Sequence, residues 1–257
     1  MTTIDVGQGD SILLVSPSGQ TLLVDAGGLP RWAHSELDIG EDVVSPYLWW
    51  RGFRKLDVVA ITHGHADHMG GMTAVLANFR PRELWLGSDE ESTEMKAVVR
   101  RALELGVHVV QHRAGESFAF GGVGVRILAP DANDESVKKN DESLVMKLTW
   151  GNTSALLEGD AERPTEQRLL EEHPEADLLK VAHHGSATST RTDLLAAVHP
   201  KFAVISVGAR NVYGHPRHEV LSRLQESNIK TYRTDLDGAV SFYLDGKVVS
   251  PRVASLR

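Results

Sequence analysis

The stretch Thr62-His63-Gly64-His65-Ala66-Asp67-His68-Met69-Gly70-Gly71 decides how this chain is read. It sets three imidazoles and a carboxylate within six residues, directly after the apolar run Asp57-Val58-Val59-Ala60-Ile61. An isolated histidine on an apolar face is ordinarily a satisfied core residue. Four metal-competent side chains at a strand end are not explained that way, because leaving so many polar groups near a core without partners costs free energy. In an extended segment His63, His65 and Asp67 point the same way, and a turn then brings His68 to a neighbouring position. That arrangement suits two adjacent metals, with His63 and His65 on one and Asp67 and His68 on the other. Imidazole nitrogen and carboxylate oxygen are donors that zinc or manganese accepts.

Bulk properties narrow the setting. A chain of 257 residues supports one large domain or two small ones, and 41% hydrophobic with 24% charged residues is an ordinary globular composition. The chain has no cysteine, which excludes disulfides and thiolate metal sites, so any metal must be held by His, Asp and Glu. A formal charge of −8 argues against a large basic surface gripping many phosphates. It is compatible with a nuclease that holds nucleic acid through its metals and a local patch. No apolar run approaches the roughly 20 residues of a membrane helix, and no signal peptide opens the chain. Ile4 to Asp10 already reads as a strand end turning into a Gly-rich loop. The expectation is therefore a single domain over 1–257, excised from a longer protein.

Short apolar strands bounded by Gly, Asp or His dominate the rest. They are expected at Ser11 to Ser16, Thr21 to Val24, Asp57 to Thr62, Glu83 to Gly87, Val107 to Gln111 and Val123 to Leu128. Further strands are expected at Ser143 to Trp150, Ser154 to Glu158, Leu178 to Ala182, Phe202 to Val207 and Lys230 to Arg233. A last hairpin joins Ala239 to Leu244 and Lys247 to Ser250 through Asp245-Gly246. Helical periodicity marks Gly71 to Asn78, Glu91 to Leu105, Glu162 to Glu172, Arg191 to Val198 and Arg217 to Ser227. This order implies layered α/β or α+β sheets with helices outside. Leu29 to Arg54, with Trp32, Trp49 and Trp50, is read as a packed insertion over a pocket.

Five more polar clusters sit at strand ends. Leu22 to Gly28 ends in Asp25, which either caps a turn or orients a ligand histidine through its second ring nitrogen. Leu156 to Asp160 ends in Asp160, a candidate bridging carboxylate whose alternative role is a helix N-cap. Leu179 to Ser186 supplies His183 and His184, one of which would complete the second metal, His183 being preferred as the residue at the strand end. Val212 to Pro216 offers His215 in a Gly/Pro loop. Asp5 to Ser11 aims backbone N–H groups, or Gln8 and Asp10, at the site, unless it is only a tight turn.

Together the motifs DVGQGDS (5–11), LLVDAGG (22–28), THGHADHMGG (62–71), LLEGDAE (156–162), KVAHHGS (180–186) and ISVGARNVYGHP (205–216) resemble the metallo-β-lactamase fold superfamily. Within it they resemble the C-terminal domain of the ComEC family of competence DNA-uptake proteins, over about Ile4 to Asp237. The resemblance implies an α/β (α+β) fold, a four-layer αββα sandwich with metals between the sheet edges. It implies two divalent ions, Mn or Zn: His63 and His65 on metal one, Asp67, His68 and His183 on metal two, and Asp160 bridging. Many members carry one more histidine on metal one. Here only His108 and His112 lie in that interval, in an unsuitable strand-like context, while Lys139-Asn140-Asp141-Glu142-Ser143 occupies the equivalent position. Metal one is thus expected to be under-coordinated, or completed by water and Asn140, an oxygen-richer site that tolerates manganese.

Two metals about 3.5–4 Å apart can generate hydroxide near neutral pH and clamp a phosphate. Attack in line on phosphorus would be oriented by Asp67 or Asp160, with His215 stabilising an oxygen or protonating the leaving group. Ser186 or Asn211 would hold the adjacent phosphate; Lys138-Lys139, Lys180, Arg210 and Arg217 are the other candidate phosphate contacts. The resemblance implies a metal-dependent nuclease that degrades the non-transported DNA strand during uptake, with single-stranded DNA as partner. It also implies a membrane channel domain in the same full-length chain, and no stable homo-oligomer is inferred from the sequence. This domain would then be soluble and extracytoplasmic, tethered within a larger integral membrane protein. The alternatives are hydrolysis of a small thioester, lactam or phosphodiester, or a non-enzymatic module guiding DNA to a channel.

Overall fold

The computed structural model describes residues 1–30, 32–33, 35–87, 92–131 and 139–253. The first half of the chain gives β1 (Thr2–Thr3), β2 (Ile12–Val15), β3 (Thr21–Val24), β4 (Val58–Ile61), β5 (Glu83–Leu86) and β6 (His108–Gln111). The second half gives β7 (Ser117–Phe120), β8 (Val123–Ala129), β9 (Val145–Trp150), β10 (Thr153–Leu157), β11 (Leu178–Lys180), β12 (Phe202–Ile205) and β13 (Lys230–Arg233). The hairpin β14 (Val240–Leu244) and β15 (Val249–Val253) returns to the first sheet. The sheets run β15-β14-β1-β2-β3-β4-β5-β6 and β13-β12-β11-β10-β9-β8-β7. Each begins as an antiparallel meander and turns parallel, at β3 in one and at β10 in the other.

Alternation along the strands explains the layers. Leu22 and Val24 of β3, with Val58 and Ala60 of β4, meet Ile127, Met146 and Leu157 of the other sheet. Their neighbours Leu23, Val59 and Ile61 face outward and pack under helices. Because β3, β4 and β5 are covered on both faces, β4 reads as the unbroken run Val-Val-Ala-Ile. On the outer face of the first sheet lie α1 (Ser45–Trp50), α2 (Ala66–Met69), α3 (Met72–Phe79) and α4 (Thr93–Glu104). On the other lie α5 (Arg163–Leu169), α6 (Thr192–Val198) and α7 (His218–Glu226), followed in sequence by the turn α8 (Thr234–Asp237). The result is a four-layer αββα sandwich. In α4 the buried positions Met95, Val98 and Ala102 keep helical spacing, and the Ser92 hydroxyl caps it by accepting from Met95 N at 3.2 Å.

Several expectations shift. Of residues 29–54, Pro30 lines the cleft, whereas a π-type turn (Gly40–Val44) runs into α1, and Val44 and Leu48 bury against α3 and the first sheet. Trp49 packs on Phe79, whereas Trp50 is 78% exposed. The edge strand β7 carries no clear periodic signal, because only Phe118 and Phe120 mark it, both set edge-on to Trp85. β1 is too short for periodicity to register. The expected helix start at Glu91 lies outside the described residues.

Candidate metal centre

The polar clusters converge where the parallel strands end, the carboxyl edge at which α/β sheets ordinarily carry their chemistry. Asp25, just past β3, accepts from Thr62 N at 2.8 Å and from Thr62 Oγ1 at 2.7 Å, tying the ends of β3 and β4 together. Its Oδ2 is also 2.8 Å from Nδ1 of His68. His63 leaves β4, His65 precedes α2, and Asp67 and His68 lie within that short helix. Two glycines let other loops press on this turn. A Cβ on Gly9 would collide with the Asp67 carbonyl, and one on Gly28 with the Ala66 carbonyl.

On the second sheet, Asp160 follows β10, its N–H donating to Ser143 Oγ at 3.0 Å. After β11 the backbone takes two consecutive left-handed residues, His183 (φ 49) and His184 (φ 53), an uncommon conformation outside glycine. The kink sends the two rings to different places. Both line the cleft, but His184 is buried at its floor whereas 23% of the His183 side chain is exposed.

Nε2 atoms converge on Asp160. Its Oδ1 lies 3.1 Å from His68 Nε2 and 3.7 Å from His184 Nε2, and Asp67 Oδ2 is 3.2 Å from the same His184 nitrogen. Its Oδ2 lies 3.8 Å from His63 Nε2 and 3.7 Å from His183 Nε2. His63 Nε2 is 3.0 Å from His65 Nδ1. Among the described residues, donor atoms of His63, His65 and Asp160 lie within 4.8 Å of one another, as do those of Asp67, His68 and His184. His68 Nε2, His184 Nε2 and Asp160 Oδ1 are buried, and their polar neighbours are the carboxylates and imidazoles of the same cluster. Buried ligand-type atoms turned toward one another are the donor set a cation would join. The opposite ring nitrogens are occupied: His68 Nδ1 by Asp25, His184 Nδ1 by the Ser206 carbonyl at 2.9 Å, and His63 Nδ1 by Thr62 Oγ1 at 3.1 Å. That leaves each Nε2 lone pair for a metal. The residues fit a divalent ion.

A family model described as the metallo-beta-lactamase superfamily matches residues 4–209. The chain belongs to the metallo-β-lactamase superfamily. Its resemblance to competence DNA-uptake proteins is matched by curated relatives. ComE operon protein 3 of Bacillus subtilis (strain 168) is 34% identical over 257 residues, covering 95% of this chain and 33% of that protein. Competence protein ComA of Neisseria gonorrhoeae is 30% identical over 247 residues, covering 95% and 32%. The chain thus spans about a third of the length of these relatives. Among solved structures, the metallo-β-lactamase fold protein YhfI from Bacillus subtilis superposes with a TM-score of 0.57 at 12% identity, over 90% of this chain and 95% of that one. That likeness concerns the fold.

Electrostatics follow from this superfamily geometry. Burial, helped by neighbouring His68, holds His63 well below the ordinary imidazole range. Burial would depress His68 too, but Asp160 and Asp25 hold it well above. For His184 burial is again outweighed, and Asp160, Asp10 and Asp67 push it up to about 10. Burial would raise Asp160, but His68 and His184 keep it well below the carboxylate range. The cluster therefore concentrates negative charge and attracts protons or cations.

The remaining expected residues fall into place around it. Asp10 does not line the cleft. It is buried 3.4 Å from His184 Nδ1, and its other oxygen is 2.7 Å from Lys180 Nζ. Lys180 is fully buried, so it is a counter-ion for Asp10 and not a phosphate contact. Gln8 lines the cleft and accepts from Gly208 N at 3.2 Å. Asn211 is not free for a phosphate: its amide donates to the Gly208 and His215 carbonyls and accepts from His215 N. Ser186 Oγ pairs with Thr188 Oγ1 at 2.9 Å. Asn140 Nδ2 donates to Glu162 Oε1 at 3.0 Å. His112 pairs with Glu116 at 2.7 Å and stacks on Phe118, away from the cluster. The side chains of Lys138 and Lys139 lie outside the described residues. The sequence gives no role in the centre to the side chains of Thr62 and Glu162, although each neighbours a residue already marked.

The cleft above the cluster measures about 350 Å³ and is lined by His65, Asp67, Asp160, His183, Tyr213 and His215, among others. His215 stacks on Tyr213 at 5.9 Å, and burial together with His183 lowers its pKa to about 4, so its ring is neutral at pH 7.

Proposed function

We propose that this chain is a metal-dependent phosphodiesterase that cleaves DNA, single-stranded in the uptake setting of its competence-type relatives. In this reading it degrades the strand that is not transported. It would act as one domain over 1–257 of a longer membrane-associated chain, on the extracytoplasmic side, beside a channel-forming part. Two divalent ions, manganese or zinc, would be held by His63 and His65 on one side and by Asp67, His68 and His184 on the other, with Asp160 between them. The observation that carries this reading is the division of Asp160, whose Oδ1 and Oδ2 face separate sets of imidazoles. Assigning His184 to the second ion replaces the expectation of His183, because the kink after β11 buries the His184 ring beside Asp67.

Divalent ions held there would supply Lewis acidity and, from water, a nucleophile near neutral pH. The chain's own residues position the reactants. Asp67 and Asp160 keep their carboxylates charged at the cleft floor, Asp67 at a pKa of about 2 because hydrogen bonding to His184 and the His68 charge outweigh burial. His215, neutral and on the cleft wall, is placed to donate a hydrogen bond to a phosphate oxygen. Asn211 fixes it by bonding both its N–H and its carbonyl.

The test is cleavage of labelled single- and double-stranded DNA by metal-stripped protein resupplied with manganese or zinc, beside Asp160→Ala. Cleavage that needs metal and is lost in the variant is expected. Folded, metal-loaded protein that leaves DNA intact would contradict the reading and favour a small-molecule hydrolase or a DNA-guiding module.

A further inference from the structure

We infer that Tyr213 forms a nucleobase subsite beside the metal cleft, on which one unpaired base of the substrate strand stacks. The inference rests on the nuclease reading above and concerns how that cleft selects a single strand.

Among the described residues lining the cleft, Tyr213 is the one aromatic ring that is not an imidazole. Its ring stacks on His215, with centroids 5.9 Å and planes 27° apart, yet 40% of the residue stays exposed. Val212 before it is 72% exposed. A single exposed apolar residue is ordinary on a protein surface. Two in succession, on a loop that borders a cleft and is tied down at both ends, are not explained that way. Asn211 bonds Gly208 and His215 across the loop, and Arg217 N donates to the Gly185 carbonyl at 2.9 Å. Gly214, at φ +67, makes the reversal that lays the Tyr213 ring on His215. The ring is thus held in place before substrate arrives, and little freedom is lost when a base stacks on it.

The chemistry of the loop matches a nucleotide. Stacking on an aromatic ring needs only a π face, so it accepts any base of a single strand. In a duplex each base is paired as well as stacked, and reaching Tyr213 would cost that pairing. His215, placed to donate to a phosphate oxygen, is the ring directly behind Tyr213. A strand whose phosphate meets His215 therefore carries its adjoining base past Tyr213. The exposed Arg217 flanks the same turn, since a Cβ on Gly214 would stand 3.4 Å from its Nη1. Its guanidinium offers charge to a neighbouring phosphate, which positions the strand without reading its sequence.

The experiment is equilibrium binding to the whole chain, by anisotropy with Mn(II) present, of two fluorescent single strands with cleavage-resistant phosphorothioate links. One is oligothymidylate; the other is an abasic strand of equal length, which keeps the phosphates and lacks the bases. Circular dichroism and metal content check that each variant is folded and loaded. The wild type is expected to hold oligothymidylate about tenfold more tightly than the abasic strand. Tyr213→Ala should lose that margin, weakening oligothymidylate about tenfold while the abasic strand changes by less than about twofold. Tyr213→Phe should keep the margin, because the ring and not the hydroxyl carries the stacking. Trp50→Ala, which removes an exposed ring of α1 outside the cleft, should change neither strand. Equal binding of the two strands by the wild type, or an unchanged margin in folded Tyr213→Ala, would overturn the inference. So would loss of the margin in Tyr213→Phe. In each case metal-dependent cleavage of DNA by the wild type would leave the nuclease reading standing. A wild type that binds neither strand and cleaves no DNA would overturn both.

Discussion

Asp160 shares its carboxylate between His68 and His184 on one oxygen and His63 and His183 on the other, so charge on this one residue governs both halves of the cluster. In the metal-free protein His184 titrates at about 10 and His68 well above its ordinary range, so both carry protons at pH 7. A metal can ligate only the neutral rings. Binding must therefore release protons, and affinity should rise with pH, by about tenfold per unit for each proton released. Calorimetry in buffers of different ionisation enthalpy counts those protons, and pH-independent binding would contradict the assignment. Lys180 offers a second residue-level test. Its ammonium and the Asp10 carboxylate are buried 2.7 Å apart, so Lys180→Met leaves the buried Asp10 charge with His184 as its nearest cationic neighbour. A loss of about 3–5 kcal/mol is expected by urea unfolding, and Lys180→Met with Asp10→Asn should recover part of it. A phosphate-binding lysine would instead weaken DNA binding and leave stability alone. In sequence His183 and His184 are indistinguishable, because alternation predicts opposite faces only while the strand continues. The strand stops at Lys180, and the left-handed kink that separates the two rings leaves no periodic mark. Lys180 misled for a related reason: its partner Asp10 is 170 positions away in the chain.

At the scale of elements, three turns are pinned together by absent side chains. Gly9 in the first Gly-rich loop and Gly28 after β3 both touch carbonyls of the turn that carries Asp67. Both also hold a positive φ, +139 and +155. Gly28→Ala should push this turn away from Asp160. The expected result is a lower melting temperature and loss of tight metal binding, whereas Gly19→Ala, with nothing near its Cβ, should keep the metals. Metal titration with both variants checks this, and equal binding would contradict the packing account. The strands flanking these turns were legible because each is an apolar run ended by Asp or His. α4 was legible from the 95, 98, 102 spacing. By contrast, residues 29–54 mix Trp, Pro and Gly without a clean period, so the helix inside them was hidden.

For the whole molecule, two parallel half-sheets bring their carboxyl ends to one cleft, lined by His65 and Asp67 from the first and Asp160, His183 and His184 from the second. The order of strands and helices implied layered sheets with helices outside, and the superfamily resemblance implied four layers; in the structure inward Leu22 and Val24 are set against outward Leu23. What the pattern could not give was which strand ends would meet across the sheets. That depends on the inter-sheet core of Val24, Ala60, Met146 and Leu157. Thinning this core with Leu157→Ala, a fully buried residue three positions before Asp160, should cost about 2–5 kcal/mol. The net charge of −8 sets a further expectation. If substrate is held by ions and one or two phosphate contacts, log affinity for DNA should fall with log salt at a slope of only about −1 to −2. Anisotropy across a salt series measures it, and a slope of −5 or steeper would point to an extended basic track instead.

The most direct single measurement is anomalous diffraction from crystals of this chain equilibrated with manganese. Two anomalous peaks are expected, one beside each oxygen of Asp160, with His68 and His184 on one ion and His63 and His65 on the other. A single peak, or ions bound away from Asp160, would contradict the two-ion centre on which the proposed hydrolysis depends.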